Sequence, residues 1–354
     1  MKHLIENIHL MMKKIGRPVR LMEVCGTHTV AIFRHGIRTI LPEGIMLLSG
    51  PGCPVCVTSI EDIDNAVKIA EKPGVILTTF GDMLRVPGSR KNLQEARAEG
   101  ADIQVLYSPM DALAIAGENP DQSVIFFATG FETTSPSVAA TLCEADRKGI
   151  NNFHIYPNHK LVPPALKALL GDERVKVDGF ILPGHVSTII GSSPYEFISR
   201  DYKKPSVIAG FEARDILETI AMLLAQLIKG ESGVDIQYVS AVRAEGNPRA
   251  ISLIETCFMP VAAQWRGIGT IAESGLSLRE EFRHRDASKL FDIEAESTPD
   301  IRGCACGDVL MGIKIPTDCP LYGKKCTPEN PVGACMVSAE GSCSAYYRYG
   351  DGLR

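Results

Sequence analysis

The chain has 354 residues, of which 45% are hydrophobic and 22% charged, and its formal net charge is −5 at pH 7. This length accommodates two or three domains with separate hydrophobic cores, and the composition is typical of a soluble globular protein. The negative charge disfavours a general nucleic-acid binder, which needs a basic surface, and no block of like charges suits a membrane surface.

The N-terminal segment predicts an amphipathic helix. Leu4, Ile8, Met11 and Ile15 recur at helical spacing among charged residues, unlike the continuous apolar region of a secretory signal. The longest apolar stretch, at 221–228, is far too short to span a bilayer. We therefore expect a cytoplasmic protein.

An extended run, Arg20–Val24, leads into the segment Cys25-Gly-Thr-His28. The glycine lets the backbone turn, and a histidine three residues after a cysteine can bond to its thiolate or move a proton. An isolated Cys/His pair is a weak signal, so packing in the core is the alternative interpretation.

From about residue 44 to residue 210, short β-rich runs end in Gly/Pro-rich loops and are usually followed by helical stretches. The predicted strands are Ile45–Leu48, Val75–Thr79, Ile103–Tyr107, Val124–Ala128, Phe153–Tyr156, Gly179–Leu182 and Val207–Ala209. The predicted helices between them include Ile60–Glu71, Lys91–Glu99, Ser137–Lys148 and Pro164–Leu170. This alternation indicates parallel sheets with right-handed crossovers. Two smaller sheets that face each other across a cleft suit the motifs better than one sheet of seven strands.

Five of these strands lead into loops that carry cysteine, acidic or histidine side chains. Because ligands bind beyond the carboxyl ends of parallel strands, the loops predict a common site. The residues concerned are Cys53, Cys56, Asp82, Glu132, His159 and His185. For any single loop, turn chemistry and helix capping remain an alternative.

The pair Cys53-Pro-Val-Cys56 stands where a loop meets a helix, with Thr58 or Ser59 as the expected N-cap. A helix N-terminus stabilises a thiolate, so the pair predicts redox or metal-linked thiol chemistry. A zinc half-site is the alternative, but the chain lacks an obvious second pair of ligands.

After residue 210 the pattern changes. Glu212–Lys229 and Arg249–Cys257 read as helices, whereas Gly, Pro and Cys dominate from Pro299 onward, with little periodicity. Such a segment cannot close a hydrophobic core by itself and needs a metal to hold it together.

The chain contains eleven cysteines. Because a reducing compartment disfavours structural disulfides, clustered cysteines indicate metal or redox chemistry, whereas the solitary Cys143 and Cys257 are predicted to pack as small core residues. Cysteines crowd the C-terminal segment, where four of them are separated by twelve, six and sixteen residues: Cys306, Cys319, Cys326 and Cys343. Four thiolates match either a [4Fe–4S] cluster or structural zinc. Two further cysteines there favour the cluster, because a cluster that passes electrons to a dithiol gives them a role.

Together these segments resemble the HypD family of [NiFe] hydrogenase maturation proteins over nearly the whole chain. The motifs that carry the resemblance are Glu23-Val-Cys-Gly-Thr-His-Thr29, Gly50-Pro-Gly-Cys-Pro-Val-Cys56, Phe80-Gly-Asp-Met-Leu-Arg-Val-Pro-Gly-Ser89, Gly130-Phe-Glu-Thr-Thr134, His159-Lys-Leu-Val-Pro-Pro164, Pro183-Gly-His-Val-Ser187, Trp265-Arg-Gly-Ile-Gly269 and the Cys-rich tail. Two departures from the family pattern, Ser59 for a proline and Ala213-Arg214 for Pro-Leu, touch no proposed ligand.

The resemblance implies a scaffold on which the Fe(CN)2CO moiety of [NiFe] hydrogenase is assembled, with a HypC-like small chaperone and a HypE-like cyanide donor as partners. It implies that Cys25 is an iron ligand with His28 close by, and that Cys53 and Cys56 are redox-active thiols beside it. The family's C-x12-C-x6-C-x16-C pattern falls on Cys306, Cys319, Cys326 and Cys343, which implies that these hold a [4Fe–4S] cluster. Cys304 and Cys335 then remain as a dithiol or disulfide pair next to the cluster.

We therefore expect two parallel-sheet α/β domains facing a cleft, plus a mostly helical or irregular Cys-rich iron–sulfur domain. The expected boundaries are 30–111 and 112–208 for the two α/β domains, and 1–29 with 209–354 for the third. In the mechanism that we expect, Cys25 and a thiolate of the HypC-like partner hold iron in the cleft. Proton donors or partners of the iron ligands would be Asp82, Glu132, His159 and His185.

Two other functions compete with this one: a cluster-dependent oxidoreductase that reduces protein disulfides through Cys53 and Cys56, and a zinc-stapled binding module. A P-loop, a dinucleotide fingerprint and a nucleophile elbow are absent from the sequence, which disfavours nucleotide kinases, simple dehydrogenases and serine hydrolases.

Overall fold

The computed structural model describes residues 1–293 and 301–350. Its strands are β1 (Val19–Glu23), β2 (Ile45–Ser49), β3 (Val75–Thr79), β4 (Asp102–Val105), β5 (Ser123–Gly130), β6 (Phe153–His159), β7 (Gly179–Pro183), β8 (Ser206–Ala209), β9 (Val234–Ile236), β10 (Phe258–Trp265) and β11 (Gly269–Leu278). Every strand predicted from the sequence is present, with ends that differ by a few residues.

Helices alternate with these strands. They are α1 (Lys2–Ile15), α2 (Gly26–Arg34), α3 (Ile37–Ile40), α4 (Pro54–Val57), α5 (Ile60–Ala70), α6 (Leu93–Ala98), α7 (Pro109–Glu118), α8 (Ser135–Lys148), α9 (Val162–Leu170), α10 (Gly184–Ile190), α11 (Glu196–Tyr202), α12 (Ala213–Lys229), α13 (Pro248–Cys257), α14 (Ala287–Leu290), α15 (Cys306–Leu310), α16 (Ala334–Val337) and α17 (Ser342–Tyr349). Short 3₁₀ turns lie at Gly81–Arg85, Ser193–Tyr195, Glu280–Arg285 and Pro316–Asp318.

The strands form two parallel sheets and one hairpin. The first sheet has the order β2-β1-β7-β8-β9 and the second sheet the order β4-β3-β5-β6, while β10 and β11 pair antiparallel. All neighbours within the two sheets run parallel. The fold is therefore α/β with two parallel sheets, as the sequence predicts.

The predicted boundaries 30–111 and 112–208 do not separate the two sheets. The range 30–111 contributes β2 to the first sheet but β3 and β4 to the second, and the range 112–208 is divided in the same way. The chain crosses to the second sheet after β2 and returns at β7. The division into domains at those boundaries stays a prediction.

The N-terminal helix α1 packs together with α12 against the first sheet. This position requires one apolar face, which explains the amphipathic pattern of α1. Ile8 of α1 and Leu217 of α12 are fully buried in one apolar cluster with strand residues such as Leu47. Among the described residues, no helix is both long and apolar enough to cross a membrane.

The C-terminal segment 301–350 consists of short helices and turns, as its composition predicts. Helix α17 packs against α2, and α16 packs against both α17 and α4. The cysteine-rich segment therefore lies against the two short helices that follow Cys25 and Cys53.

Candidate functional site

Cys25 is the N-cap of α2, directly after β1. Its backbone amide donates to Glu23 Oε2 at 3.1 Å, and the Thr29 hydroxyl donates to Glu23 Oε1 at 2.5 Å. Burial raises the pKa of Glu23 to about 7, although these two hydrogen bonds oppose it. An acidic side chain at this depth thus fixes the turn that presents Cys25.

The Cys25 thiol is almost completely enclosed, with 8% of the residue exposed. Burial raises its pKa to about 12, and the backbone amide of His28 and the hydroxyl of Thr27 oppose this shift. The thiol is therefore protonated at neutral pH, and a soft metal ion that binds the sulfur must displace the proton.

The loop that carries the C-x-x-C pair packs directly against the backbone of Cys25. The Gly26 amide donates to the Gly52 carbonyl oxygen at 3.0 Å. A Cβ atom on Gly52 would lie 2.3 Å from both the Cys25 nitrogen and the Val24 carbonyl carbon, so no side chain fits there. Because Cys53 follows Gly52, the structure places the C-x-x-C pair beside Cys25.

Cys53 and Cys56 form a disulfide with a Cα–Cα distance of 5.2 Å. Cys53 is the N-cap of the short helix α4, and its sulfur accepts the Cys56 amide at 3.2 Å. Both residues are buried, with 3% and 0% exposed. Ser59 forms a capping box with Asp62 at the start of the next helix, α5.

His28 is fully buried, and its ring lies against other aromatic groups. Its Nε2 is 3.0 Å from the Gly210 carbonyl oxygen, and the ring stacks on Phe211 at 4.8 Å. Phe211 in turn stacks on His185 at 3.9 Å. Burial lowers the pKa of His28 to about 4, so the ring is neutral at physiological pH.

Glu132 and His159 lie at the carboxyl edge of the second sheet, where Gly130 of β5 pairs with His159 of β6. Glu132 Oε1 accepts the Val162 amide at 2.9 Å at the start of α9, while Oε2 has no partner among the described residues. Burial raises the pKa of Glu132 to about 7. Capping, which the sequence left open as an alternative, thus accounts for one of its two oxygens.

His159 is also buried, and its two ring nitrogens have no hydrogen-bond partner in the described part of the chain. Burial lowers its pKa to about 3, and its ring meets that of Phe258 edge-on at 5.7 Å. Asp82 and His185 differ from this pair because both are exposed. The turn that carries Asp82 is joined to the C-terminal segment, since Arg85 donates to the carbonyl oxygens of Pro328 and Val337.

The C-terminal cysteines converge. Cys335 Sγ lies 3.1 Å from Cys343 Sγ, and a Cβ atom on Gly333 would lie 2.8 Å from Cys304 Sγ and 3.9 Å from Cys335 Sγ. Hydrogen bonding with Cys306 and burial raise the pKa of Cys304. Cys304 and Cys335 are free thiols in this structure.

The remaining two tail cysteines lie close to this group. Cys326 Sγ accepts the Val332 amide at 3.4 Å, and Cys319 Sγ is 3.9 Å from the Gly303 carbonyl oxygen. Burial raises the pKa of Cys326, and the charges of Cys304 and Cys319 add to this effect.

The chemistry of the donor set is compatible with an iron–sulfur cluster, because the set consists of free thiols, four of them separated by twelve, six and sixteen residues. Within residues 1–293 and 301–350, no group of three or more His, Cys, Asp or Glu side chains is arranged to hold a single metal ion. A cavity of about 140 Å³ adjoins the cysteines, with Cys304, Cys306 and Arg266 in its wall.

The tip of the β10–β11 hairpin supports both cysteine groups, a role that the sequence analysis missed. The Arg266 guanidinium donates to the carbonyl oxygens of Thr58 at 2.7 Å and Pro87 at 2.8 Å. Gly267 has a φ of +72°, and a Cβ atom there would lie 2.6 Å from Gly307 Cα. The motif Trp265-Arg-Gly-Ile-Gly269 could have indicated this supporting role, but the residues that it contacts are distant in sequence. Glu23 and Gly52 also lie within the quoted motifs, and their contacts in the site were likewise not predicted.

Comparison with known proteins shows to which proteins this chain is similar. The family model described as "Hydrogenase formation hypA family" (HypD) matches residues 1–350. The hydrogenase maturation factor HypD of Azotobacter vinelandii is 48% identical over 341 residues, which cover 94% of this chain and 90% of that protein.

Two further relatives come from other organisms. The hydrogenase maturation factor HypD of Escherichia coli is 43% identical over 349 residues, with 98% of this chain and 94% of that protein covered. A putative hydrogenase expression/formation protein of Methanocaldococcus jannaschii is 45% identical over 354 residues, with 98% and 96% covered. The similarity thus extends over nearly the full length of both members of each pair.

Proposed function

Because this chain belongs to the HypD family of hydrogenase maturation factors, we propose that it is the scaffold on which the Fe(CN)2CO moiety of [NiFe] hydrogenase is assembled. It holds the iron through Cys25 together with a thiolate of a HypC-like chaperone, and it receives cyanide from a HypE-like donor. The observation that supports this proposal best is the contact of Gly52 with the Cys25 backbone, which sets a buried thiol beside a disulfide.

Cys25 is a suitable ligand for the iron of the Fe(CN)2CO moiety. Low-spin Fe(II) that carries cyanide and carbon monoxide is a soft centre and accepts thiolate ligands. The sulfur lies at the N-terminus of α2, where the His28 amide and the Thr27 hydroxyl favour its charged form. A nearly enclosed position also protects a reactive iron complex from water, and the chaperone's thiolate would complete the enclosure.

The Cys53–Cys56 pair suits the redox step. Cleavage of the S–CN bond of a thiocyanate-type carrier consumes two electrons and releases the carrier thiolate and cyanide. Oxidation of the two thiols of Cys53 and Cys56 to the disulfide supplies two electrons and two protons, so the step balances. The structure contains the pair in its oxidised form, which is the product side of this step.

Four cysteines would hold a resident [4Fe–4S] cluster: Cys306, Cys319, Cys326 and Cys343. When bound, such a cluster supplies electrons one at a time. The packing of α16 on α4 sets the helix of Cys335 against the helix of Cys56, which supports a role for Cys304 and Cys335 as a thiol pair close to the C-x-x-C disulfide. Among the predicted proton donors, Glu132 has one oxygen without a partner in the described part of the chain, and His185 stacks on Phe211, which also stacks on His28.

An autonomous protein-disulfide reductase is less well supported. A thiol that attacks a substrate protein's disulfide has to be accessible, whereas Cys53 and Cys56 are 3% and 0% exposed. Access therefore depends on a partner that inserts a small reactive group, as a cyanide donor does.

The proposal is tested by anaerobic co-expression with a HypC-like partner, followed by infrared spectroscopy of the purified complex. We expect bands of metal-bound cyanide and carbon monoxide in the wild type, and no cyanide bands in Cys53→Ser, which keeps the partner. The matched control Cys143→Ser lies on α8, outside the site, and should keep the bands.

Cyanide bands of wild-type intensity in Cys53→Ser would show that the dithiol is not the source of electrons. A wild-type protein that lacks both partner and bands but turns over a dithiol substrate would favour the oxidoreductase.

A further inference from the structure

A second pair of cysteines lies outside the site just described. Cys143 on α8 and Cys257 at the end of α13 are 114 residues apart in sequence, yet their Sγ atoms are 3.6 Å apart. The sequence alone predicts that each is a solitary core residue. Core packing explains why Cys257 is fully buried, but it does not explain why two sulfurs meet.

The two thiols differ in accessibility. Cys143 is partly exposed, whereas Cys257 is enclosed and its sulfur also lies 3.6 Å from the Ala139 carbonyl oxygen. Burial raises the pKa of Cys257. A small oxidant therefore reaches the Cys143 thiol first, and the Cys257 thiol lies behind it, close enough to react with the product.

We propose that Cys143 and Cys257 form a second redox site, which hydrogen peroxide or a related small peroxide converts to a disulfide. The peroxide transfers one oxygen to the Cys143 sulfur, which becomes a sulfenic acid, and its other oxygen leaves as water. The Cys257 thiol then displaces the sulfenic oxygen, which leaves as a second water when the S–S bond forms. Two thiols are oxidised and one peroxide is reduced, so atoms and electrons balance.

Formation of this disulfide requires little movement of the backbone. The sulfurs must approach by about 1.5 Å to reach the length of a disulfide bond, and α8 and α13 already pack against each other. Rotation about the Cys143 side-chain bonds is the natural source of this movement, because that side chain is only partly buried.

A disulfide at this position would restrain the β10–β11 hairpin. Cys257 is the last residue of α13, and β10 begins at Phe258, so the bond would fix the base of the β10–β11 hairpin to α8. At the other end of β10, the Arg266 amide donates at 2.9 Å to the carbonyl oxygen of Val57, the last residue of the C-x-x-C helix. The oxidised pair is thus a latch on the element that supports the cysteines of the site.

The test uses the full chain, reduced anaerobically and then treated with one equivalent of hydrogen peroxide. After quenching, free thiols are alkylated and the peptides are analysed by mass spectrometry. We expect a cross-linked peptide that joins α8 to α13, about 2 Da lighter than the sum of the two peptides because two hydrogens are lost. Cys143→Ser should give no such peptide and leave Cys257 alkylatable after denaturation.

Cys53→Ser serves as the control, because it removes exchange with the site disulfide and should keep the cross-link. The proposal is overturned if both cysteines of the wild type remain alkylatable, or if Cys143 is oxidised further without a cross-link to Cys257.

A second measurement tests the latch. In the Cys53→Ser background, which cannot form the site disulfide, the oxidised protein should unfold at a higher temperature than the reduced protein and resist proteolysis within 258–278, whereas the additional change Cys143→Ser should abolish both responses. A cross-linked protein whose hairpin is cleaved as fast as in the reduced form would overturn the latch.

Discussion

Glycine decides how closely the segments around Cys25 can approach. Gly52 touches the backbone of Cys25 and Val24, and a Cβ atom on Gly26 would lie 2.5 Å from Glu340 Cβ. Three segments of the chain therefore meet at Cys25 through backbone rather than through long side chains. Because Gly26 and Gly52 have no Cβ atom, these segments can pack closely around the Cys25 sulfur.

Gly52→Ala should displace the C-x-x-C loop from Cys25, because the new Cβ atom cannot be accommodated by a rotating side chain. We expect a loss of stability of about 1–3 kcal/mol, as for other overpacked sites, together with weaker iron binding. Thermal unfolding and the infrared bands of the chaperone complex measure the two effects.

The matched control for this change is Gly117→Ala, where an added Cβ atom has no neighbour within 4 Å among the described residues. Gly117 lies in α7, so alanine should stabilise the protein by about 0.5–1 kcal/mol. Equal effects of the two substitutions would contradict the role of Gly52.

Glu132 gives the protein a measurable dependence on pH. Its pKa rises from 4.5 in an unfolded chain to about 7 in the folded protein, because burial disfavours the charge. Between these two values the folded state keeps a proton that the unfolded state releases, so stability falls as the pH rises. His159, with its pKa lowered from 6.5 to about 3, acts in the opposite sense, since it destabilises the protein as the pH falls below 6.5.

Glu132→Gln isolates the contribution of Glu132, since the amide oxygen can still accept the Val162 N–H group. Relative to this variant, the wild type should lose about 3 kcal/mol of stability between pH 4.5 and pH 7 and change no further above that range. Denaturant unfolding of both proteins at a series of pH values measures the difference. Parallel stability curves would contradict a buried, proton-binding Glu132.

At the scale of elements, the β10–β11 hairpin connects parts of the site that are distant in sequence. Arg266 at its tip joins the hairpin to Thr58, which follows the C-x-x-C helix, and to Pro87, in the loop after β3. Gly267 packs on Gly307, next to Cys306. The hairpin thus sets the distance between the C-x-x-C helix and the C-terminal cysteines.

Arg266→Met should destabilise the protein by about 2–4 kcal/mol, because two carbonyl oxygens lose a charged donor and Arg266 is only 4% exposed. The iron and sulfide content after anaerobic purification should also decrease. Arg243→Met is the control, since the exposed Arg243 likewise donates to two carbonyl oxygens, and we expect a change within about 0.5 kcal/mol. An unchanged iron and sulfide content in Arg266→Met would contradict the supporting role of the tip.

The elements that the sequence predicted share strong local signals. Buried strands such as Val75–Thr79 are continuous apolar runs, and Ser59 with Asp62 marks the start of α5 by a capping box. The β10–β11 hairpin was missed because the apolar run of β10 contains a proline and two alanines, and β11 contains glycine, alanine and serine, all residues that are uncommon in strands or uninformative about them, and neither strand shows clean alternation.

At the scale of the molecule, sequence order does not reveal which strands share a sheet. β1 of the first sheet lies between β2 and β7, although β7 begins more than 150 residues later. The predicted site residues therefore converge only in part. Cys25 meets the C-x-x-C loop and the tail cysteines meet each other, whereas Asp82 stands exposed on its turn. Local patterns carry no information on such long-range contacts.

Two cysteine variants test how the C-terminal cysteines are divided between ligands and a redox pair. Cys343→Ser should lose most of the iron and sulfide bound after anaerobic reconstitution, because it removes one of four proposed ligands. Cys335→Ser should keep the iron and sulfide, although the two sulfurs are only 3.1 Å apart. The reverse result would exchange their roles, and equal losses would show that the six cysteines are not divided in this way.

The central claim is that Cys25 anchors the iron on which cyanide and carbon monoxide are assembled. The most direct measurement compares the infrared spectrum of the chaperone complex of Cys25→Ala with that of the wild type and of Cys143→Ser, all purified without oxygen. We predict that the bands of metal-bound cyanide and carbon monoxide disappear in Cys25→Ala and persist in the other two proteins. Bands of wild-type intensity in Cys25→Ala would contradict this claim.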